Sequence, residues 1–199
     1  VGLLGGVASG KSRVAALLAE RGAKVIDADA LAHGELERPT VRERAVALFG
    51  EGILRADGAI DRAALGRRVF GDPAALAALE AIVHPGVIAA IEREIEAAAP
   101  GPDGRRPVIA LDVPLIVEAG IADRCDERIF VEASAETRER RAMARGWPPG
   151  EVARREAHQQ PLEEKRRAAT FTIDNDGDLV RTAAEVDRFW RGRVEPATR

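Results

Sequence analysis

The sequence predicts an α/β fold with a five-stranded parallel sheet, and three observations carry that expectation. Short apolar stretches alternate with segments of helical periodicity, the pattern of parallel strands joined by crossover helices. The run Gly5-Gly6-Val7-Ala8-Ser9-Gly10-Lys11-Ser12 has the G-x-x-x-x-G-K-S spacing of a phosphate-binding loop, set between an apolar stub and a helical pattern. The long stretch between the second and third strand signals is helical almost throughout, so an all-helical insertion is expected there.

Residues 1–4 read as the first strand, and 13–20 continue at helical spacing until Gly22 stops them. Between them the loop lets successive N–H groups curl toward phosphate oxygens at a helix N-terminus. Lys11 can reach the β- and γ-phosphates, and the Ser12 hydroxyl can ligate Mg²⁺. Residues 24–27 are the second strand, and a helix begins near Ala30. Helical periodicity then covers 41–49, 62–70, 74–83 and 87–98, followed by a Pro/Gly-rich loop at 100–104. The continuous apolar run 108–113, closed by Pro114, reads as a buried parallel strand. A strand at 128–131 precedes helices at 135–145, 149–158 and 161–169. The fifth strand is 171–174, a turn follows at 175–177, and Asp178 caps a last helix reaching about Trp190. The expected organisation is a core of residues 1–38 and 107–199, a lid at about 138–160, and a helical insertion at 39–106.

Composition narrows the class. At 199 residues and 46% apolar content, the chain can bury one sizeable core with a subdomain. Its net charge of −3, with both signs interspersed, argues against a general nucleic-acid binder. The single cysteine, Cys125, excludes an internal disulfide and a Cys-rich metal site, and points to a reducing cytoplasm. No apolar run approaches the roughly 18–20 residues of a membrane span, and no signal peptide is expected. Lysine occurs only at 11, 24 and 165 among 30 basic residues, so a lysine inside the loop stands out.

Phosphoryl transfer also requires groups beyond the loop. Asp27-Ala-Asp29 closes the second strand; in extended chain both carboxylates face one way. At the carboxyl end of a parallel strand, Asp29 suits a base for an acceptor hydroxyl, or equally a helix N-cap. Asp112 ends the third strand, where a carboxylate suits Mg²⁺, directly or through water, or a strand-end hydrogen bond. Glu118 lies just beyond, where the sequence alone allows a surface helix position. Arg138, Arg140, Arg141 and Arg145 crowd one helix, and Arg154 and Arg155 follow the Gly146-Trp-Pro-Pro-Gly150 break. Arginines hinged by Gly and Pro suit a lid over a triphosphate; a solvated face paired with Glu136, Glu139 and Glu151 is the alternative. His33, His84 and His158 show no metal-ligand spacing.

Together these stretches resemble the dephospho-coenzyme A kinase family. The matching segments include the loop with Gly2-Leu-Leu before it, Val25-Ile-Asp-Ala-Asp-Ala-Leu-Ala-His33, Phe49-Gly-Glu-Gly-Ile-Leu54, Gly58-Ala-Ile-Asp-Arg62, Leu79-Glu-Ala-Ile-Val-His-Pro85, Val113-Pro-Leu-Ile-Val-Glu118, Arg141-x-x-x-Arg145, Gln159, Lys165 and Ile173-Asp-Asn-Asp-Gly177. The resemblance implies a P-loop kinase fold with a helical acceptor-binding insertion and a lid. It implies ATP-dependent phosphorylation of the ribose 3′-hydroxyl of dephospho-CoA, with Mg²⁺, in the last step of CoA synthesis. Asp29 matches the catalytic base, with Lys11, Arg141 and Arg145 completing the catalytic set. Residues Gly5, Gly6, Val7, Ala8, Ser9, Gly10, Lys11, Ser12 and Arg13, with Asn175 and Gly177, match the ATP site. His84 and Glu118 fall on the acceptor side, and Ser12 and Asp112 on the metal side. The chain departs from the family pattern at Leu4 and Arg13, where Thr is usual, and at Thr170, where Asp is usual.

Both partners would be small molecules, with no nucleic acid or membrane involved and a monomer or small homo-oligomer as the assembly. Two rivals stand beside this reading. Another small P-loop kinase would share loop and lid but need a different acceptor pocket than 79–85 supplies. A nucleotide-sensing regulator would have no need of the full catalytic set.

Overall fold

The strands sort themselves by burial. In the computed structural model, which describes residues 1–69, 71–98, 100, 104–113, 120–157 and 159–198, five parallel strands pair in the order β2-β3-β1-β4-β5. They are β1 (Gly2–Gly5), β2 (Lys24–Asp27), β3 (Ile109–Asp112), β4 (Arg128–Glu132) and β5 (Phe171–Asp174). The central β1 is buried at every position, as its unbroken apolar run requires. The edge strands β2 and β5 expose Lys24, Asp27 and Thr172 instead. Thr170, just before β5, has polar partners of its own: its hydroxyl accepts from the Arg128 N–H at 2.9 Å and donates to Glu127.

The first compact unit comprises Val1–Asp27 and Ala98–Arg199. Helix α1 (Lys11–Glu20) buries Val14, Leu17 and Leu18, and these join Leu3, Ile129, Val131 and Ile173 of the sheet and Phe189 of the last long helix. Phe171 and Phe189 meet edge to face at 5.2 Å. Helices α6 (Ala135–Ala144), α7 (Glu151–Glu156), α8 (Leu162–Arg167) and α9 (Leu179–Phe189) complete the order of this unit, numbered after those of the second unit. Ser134 caps α6 and Asp178 caps α9, the latter as expected, by accepting from the Arg181 N–H at 2.9 Å. Past Phe189 the chain continues as a π-helical turn, Trp190–Val194.

The second unit is Ala28–Ala97, formed by α2 (Ala28–Glu37), α3 (Pro39–Phe49), α4 (Arg62–Val69) and α5 (Pro73–Glu96). It begins a helix earlier than residue 39, because α2 packs on α3 and α5. Asp61 caps α4 and Asp72 caps α5.

Two expectations are corrected here. The helices expected at 74–83 and 87–98 are one, α5, which runs through Pro85. Proline removes one backbone bond, but Ala81 and Pro85 are exposed, so the carbonyl left over faces water while the opposite face packs on α2, α3 and α4. Joined in this way, α5 has an 18-residue window of mean hydropathy 1.9, which is long and apolar enough to cross a membrane by length and composition. The expectation that no apolar run approaches a membrane span is corrected with it, because Glu80 and the His84-Pro85-Gly86 break interrupt the apolar residues that the single helix joins. Ile82, Val83, Val87 and Ile91 are buried among the other helices of the unit.

Candidate active site

The loop from Gly5 to Ser12 leaves the carboxyl end of β1 and enters α1 directly. Its glycines are needed for different reasons. Gly5, at φ 146°, passes so close to β4 that a Cβ would stand 2.7 Å from the Val131 carbonyl oxygen. Gly10, at φ 97°, is the left-handed N-cap of α1 and lies against the Asn175 amide. α1 begins at Lys11, so the positive end of its dipole lies at the loop, the arrangement that favours a bound phosphate. Lys11 Nζ donates to the carbonyls of Gly5 and Gly6 at 3.3 and 3.1 Å, so the ammonium already arches over the loop. Not every amide points inward: the Val7 N–H donates to Glu156, and the Ser9 N–H donates to the Gly6 carbonyl.

A second layer reads the loop's shape. The Ser9 carbonyl accepts from Arg141 Nη1 at 2.9 Å and from Asn175 Nδ2 at 2.7 Å. Arg141 Nη2 donates to the Asn175 carbonyl at 2.7 Å, and the buried Thr182 hydroxyl donates to Asn175 Oδ1 at 2.8 Å. Burial pulls the Arg141 guanidinium below its ordinary pKa. It keeps its charge, because guanidinium deprotonates far above neutrality. Asp176 accepts from the Ser134 N–H and hydroxyl, and the N–H bond holds its carboxyl below the usual range. The network borders a cavity of about 460 Å³ lined by Gly10, Arg13, Arg141, Arg145, Asn175 and Gly177, with Leu179 as an apolar wall. All six polar or glycine positions were singled out in the sequence; Leu179 and Thr182 were not.

Other candidates fall elsewhere. Arg154 and Arg155 pair with Glu151 at 2.5 and 2.8 Å, and Arg155 stacks 3.9 Å over Trp147, so these arginines follow the ion-pair alternative. Arg138 is 7% exposed and pairs with Glu156. The shared-face argument for Asp27 and Asp29 fails: Asp27 ends β2, and Asp29 is in the first turn of α2, where the alternation of extended chain no longer holds. Asp29 and His84 are both exposed in the helical unit. Glu118 and His158 lie outside the described residues.

Among the described residues, no cluster of three or more His, Cys, Asp or Glu side chains forms a metal site. A hydroxyl from Ser12 and a carboxylate from Asp112 are hard oxygen donors that fit Mg²⁺, which keeps water and phosphate oxygens for its remaining positions. In register, β3 pairs Leu111 with Gly2, and Asp112 pairs with Asp27 across β2. Asp112 is thus level with Leu3, two residues before Gly5 on the neighbouring strand.

The comparisons with known proteins converge. The family model for dephospho-CoA kinase matches residues 1–181. A dephospho-CoA kinase from Symbiobacterium thermophilum is 49% identical over 96% of this chain and 80% of its own length. One from Geobacter sulfurreducens is 43% identical over 97% of this chain and 98% of its own. Among solved structures, TT1252 from Thermus thermophilus superposes with a TM-score of 0.78 at 38% identity, covering 97% of this chain and 96% of that one. The dephospho-CoA kinase from Campylobacter jejuni gives 0.71 at 25% identity, covering 98% and 97%. With the loop, the parallel sheet and the full-length match in agreement, the chain belongs to the dephospho-CoA kinase family.

Proposed function

We infer that this protein transfers the γ-phosphoryl group of ATP to the ribose 3′-hydroxyl of dephospho-CoA, giving CoA and ADP. The observation that carries the reading is the anchoring of the loop: Arg141 and Asn175 both fix the Ser9 carbonyl beside a cavity that also receives Gly10, Arg13 and Arg145. This arrangement supports a triphosphate along the α1 N-terminus, with its nucleoside toward Gly177 and Leu179. Lys11, Arg141 and Arg145 supply positive charge where the transferred group becomes more negative. Asp29 takes the proton of the attacking hydroxyl; the new bond forms between the ribose oxygen and γ-phosphorus as the β–γ bridge breaks and ADP leaves. Mg²⁺, held by Ser12 and, directly or through water, by Asp112, would neutralise phosphate charge when bound. His84 and Glu118 serve the acceptor side. The reaction calls for small molecules alone, and a cytoplasmic setting, where ATP is available, suits it.

A coupled ADP-release assay with ATP and Mg²⁺ tests the reading. Turnover should be seen with dephospho-CoA and be absent or trace with AMP, CMP and shikimate. Turnover of one of those three in its place would make the protein a kinase of another acceptor.

A further inference from the structure

The loop is gripped from outside by a charge pair that the transfer chemistry does not use. Val7 N–H donates to Glu156 Oε1 at 2.9 Å, and the same oxygen receives Arg138 Nη1 in a short ion pair. Glu156 closes α7, and Arg138 lies on α6 one turn before Arg141. Gly6 is shaped to this contact: a Cβ there would stand 2.6 Å from Glu156 Oε1 and 2.7 Å from Arg138 Nη1. Ala8, Ala142 and Val152 pack beneath, with Val7 and Trp147 against them. One face of α6 therefore holds the loop at two points, at Ser9 through Arg141 and at Val7 through Arg138 and Glu156.

A carboxylate next to a loop that binds a polyanion is repulsive unless neutralised, and the nearly buried Arg138 neutralises it. Such a pair is a weak source of fold stability compared with apolar side chains of similar size, so stability does not account for it. What it does supply is an acceptor of fixed direction for an amide in the first half of the loop. We propose that Glu156, oriented by Arg138, is a positioning residue that sets the shape of the phosphate loop before nucleotide arrives. ATP and ADP then meet a preformed loop and lose less free energy in ordering it. The proposal rests on the nucleotide-binding reading of the loop.

The test uses the full chain carrying Glu156→Gln or the pair Arg138→Leu with Glu156→Leu, which strands no buried charge. ADP affinity is measured by calorimetry, KM for each substrate by the ADP-release assay, and folding by thermal melt. The parent protein must bind ADP; if it does not, the nucleotide reading itself fails, before any variant is compared. With binding established, the double variant should fold and lose ADP affinity about tenfold, the loss of one charge-assisted hydrogen bond. Its KM for ATP should rise in parallel, and its KM for dephospho-CoA should stay unchanged. Glu156→Gln keeps an oxygen for Val7 and should recover most of that loss. A double variant that binds ADP like the parent overturns the proposal. So does one that fails to fold, because the pair would then be supporting the fold and not the loop.

Discussion

The two units of the chain use their polar groups in opposite ways. In the first, buried Arg138, Asn175 and Thr182, with Arg141 and Glu156, converge on a loop of eight residues and hold its backbone at Val7 and at Ser9. In the helical unit, the one buried charged side chain among the described residues is Glu35, and the residues with proposed chemistry, Asp29 and His84, are exposed. Phosphate is bound by backbone amides, and amides serve only if held rigid, so polar groups are committed to holding them. A helical unit holds its shape by apolar packing and leaves its functional side chains at the surface. The difference predicts that damage to the first unit acts on nucleotide binding and transfer, while damage to the second spares the nucleotide.

The sharpest break would come at Lys11. Lys11→Ala should reduce kcat by about a thousandfold, because the ammonium arching over the loop is removed from the charge that develops on the phosphates. The ADP-release assay reads this directly. Asp29→Asn comes next: loss of a general base should lower kcat by roughly a hundredfold or more. ADP affinity by calorimetry should match the parent, since Asp29 belongs to the helical unit. A weakened ADP affinity in that variant would erase the contrast between the units, and an unchanged kcat would remove Asp29 from the base role.

The same contrast explains which parts were legible in the sequence. The loop was legible because its chemistry sits in eight consecutive residues whose spacing is itself the signal. The strands at 24–27 and 171–174 were legible because each sets β-branched or aromatic apolar residues, Val25 and Ile26 in one and Phe171 and Ile173 in the other, beside turn residues, with Gly22 before one and Asn175 after the other. Pro85 misled because a local rule, that proline breaks helices, was overruled by packing on three other helices. The Asp27 and Asp29 pairing failed because the strand ends between them, a boundary no alternation pattern marks. The hold of Glu156 on Val7 joins residues 149 positions apart, and nothing in the local composition distinguishes that carboxylate from the other acidic residues of its segment. Long-range polar contacts leave no periodic trace, unlike helix faces and strands.

Within the first unit, Asn175 measures how much of the nucleotide site depends on holding the loop. Asn175→Ala removes one of the two donors to the Ser9 carbonyl and leaves the Thr182 hydroxyl only its bond to the Asp178 carbonyl at 3.1 Å. The cost should be about 1–3 kcal/mol of stability, seen as a lower denaturation midpoint. ADP affinity should fall as well, because the loop loses one of its two side-chain holds at Ser9. A variant equally destabilised but with full ADP affinity would show that Arg141 suffices there.

The smallest effect expected lies in the helical unit, at Gly86. In an ordinary helix interior, glycine to alanine stabilises by roughly 0.5–1 kcal/mol. At Gly86 a Cβ would press into the Glu35 side chain, 2.5 Å from its carboxyl carbon, and Glu35 is nearly buried and tied to Arg38 at 3.1 Å. The usual gain should therefore be cancelled or reversed in the parent. In a Glu35→Ala background the obstacle is gone, and Gly86→Ala should recover the ordinary helix-interior gain. The difference between the two backgrounds is a coupling energy that chemical denaturation of the four proteins measures. Equal effects in both would mean that α2 and α5 approach each other without depending on the missing side chain. ADP affinity should be the same in all four, because neither residue belongs to the unit that carries the loop.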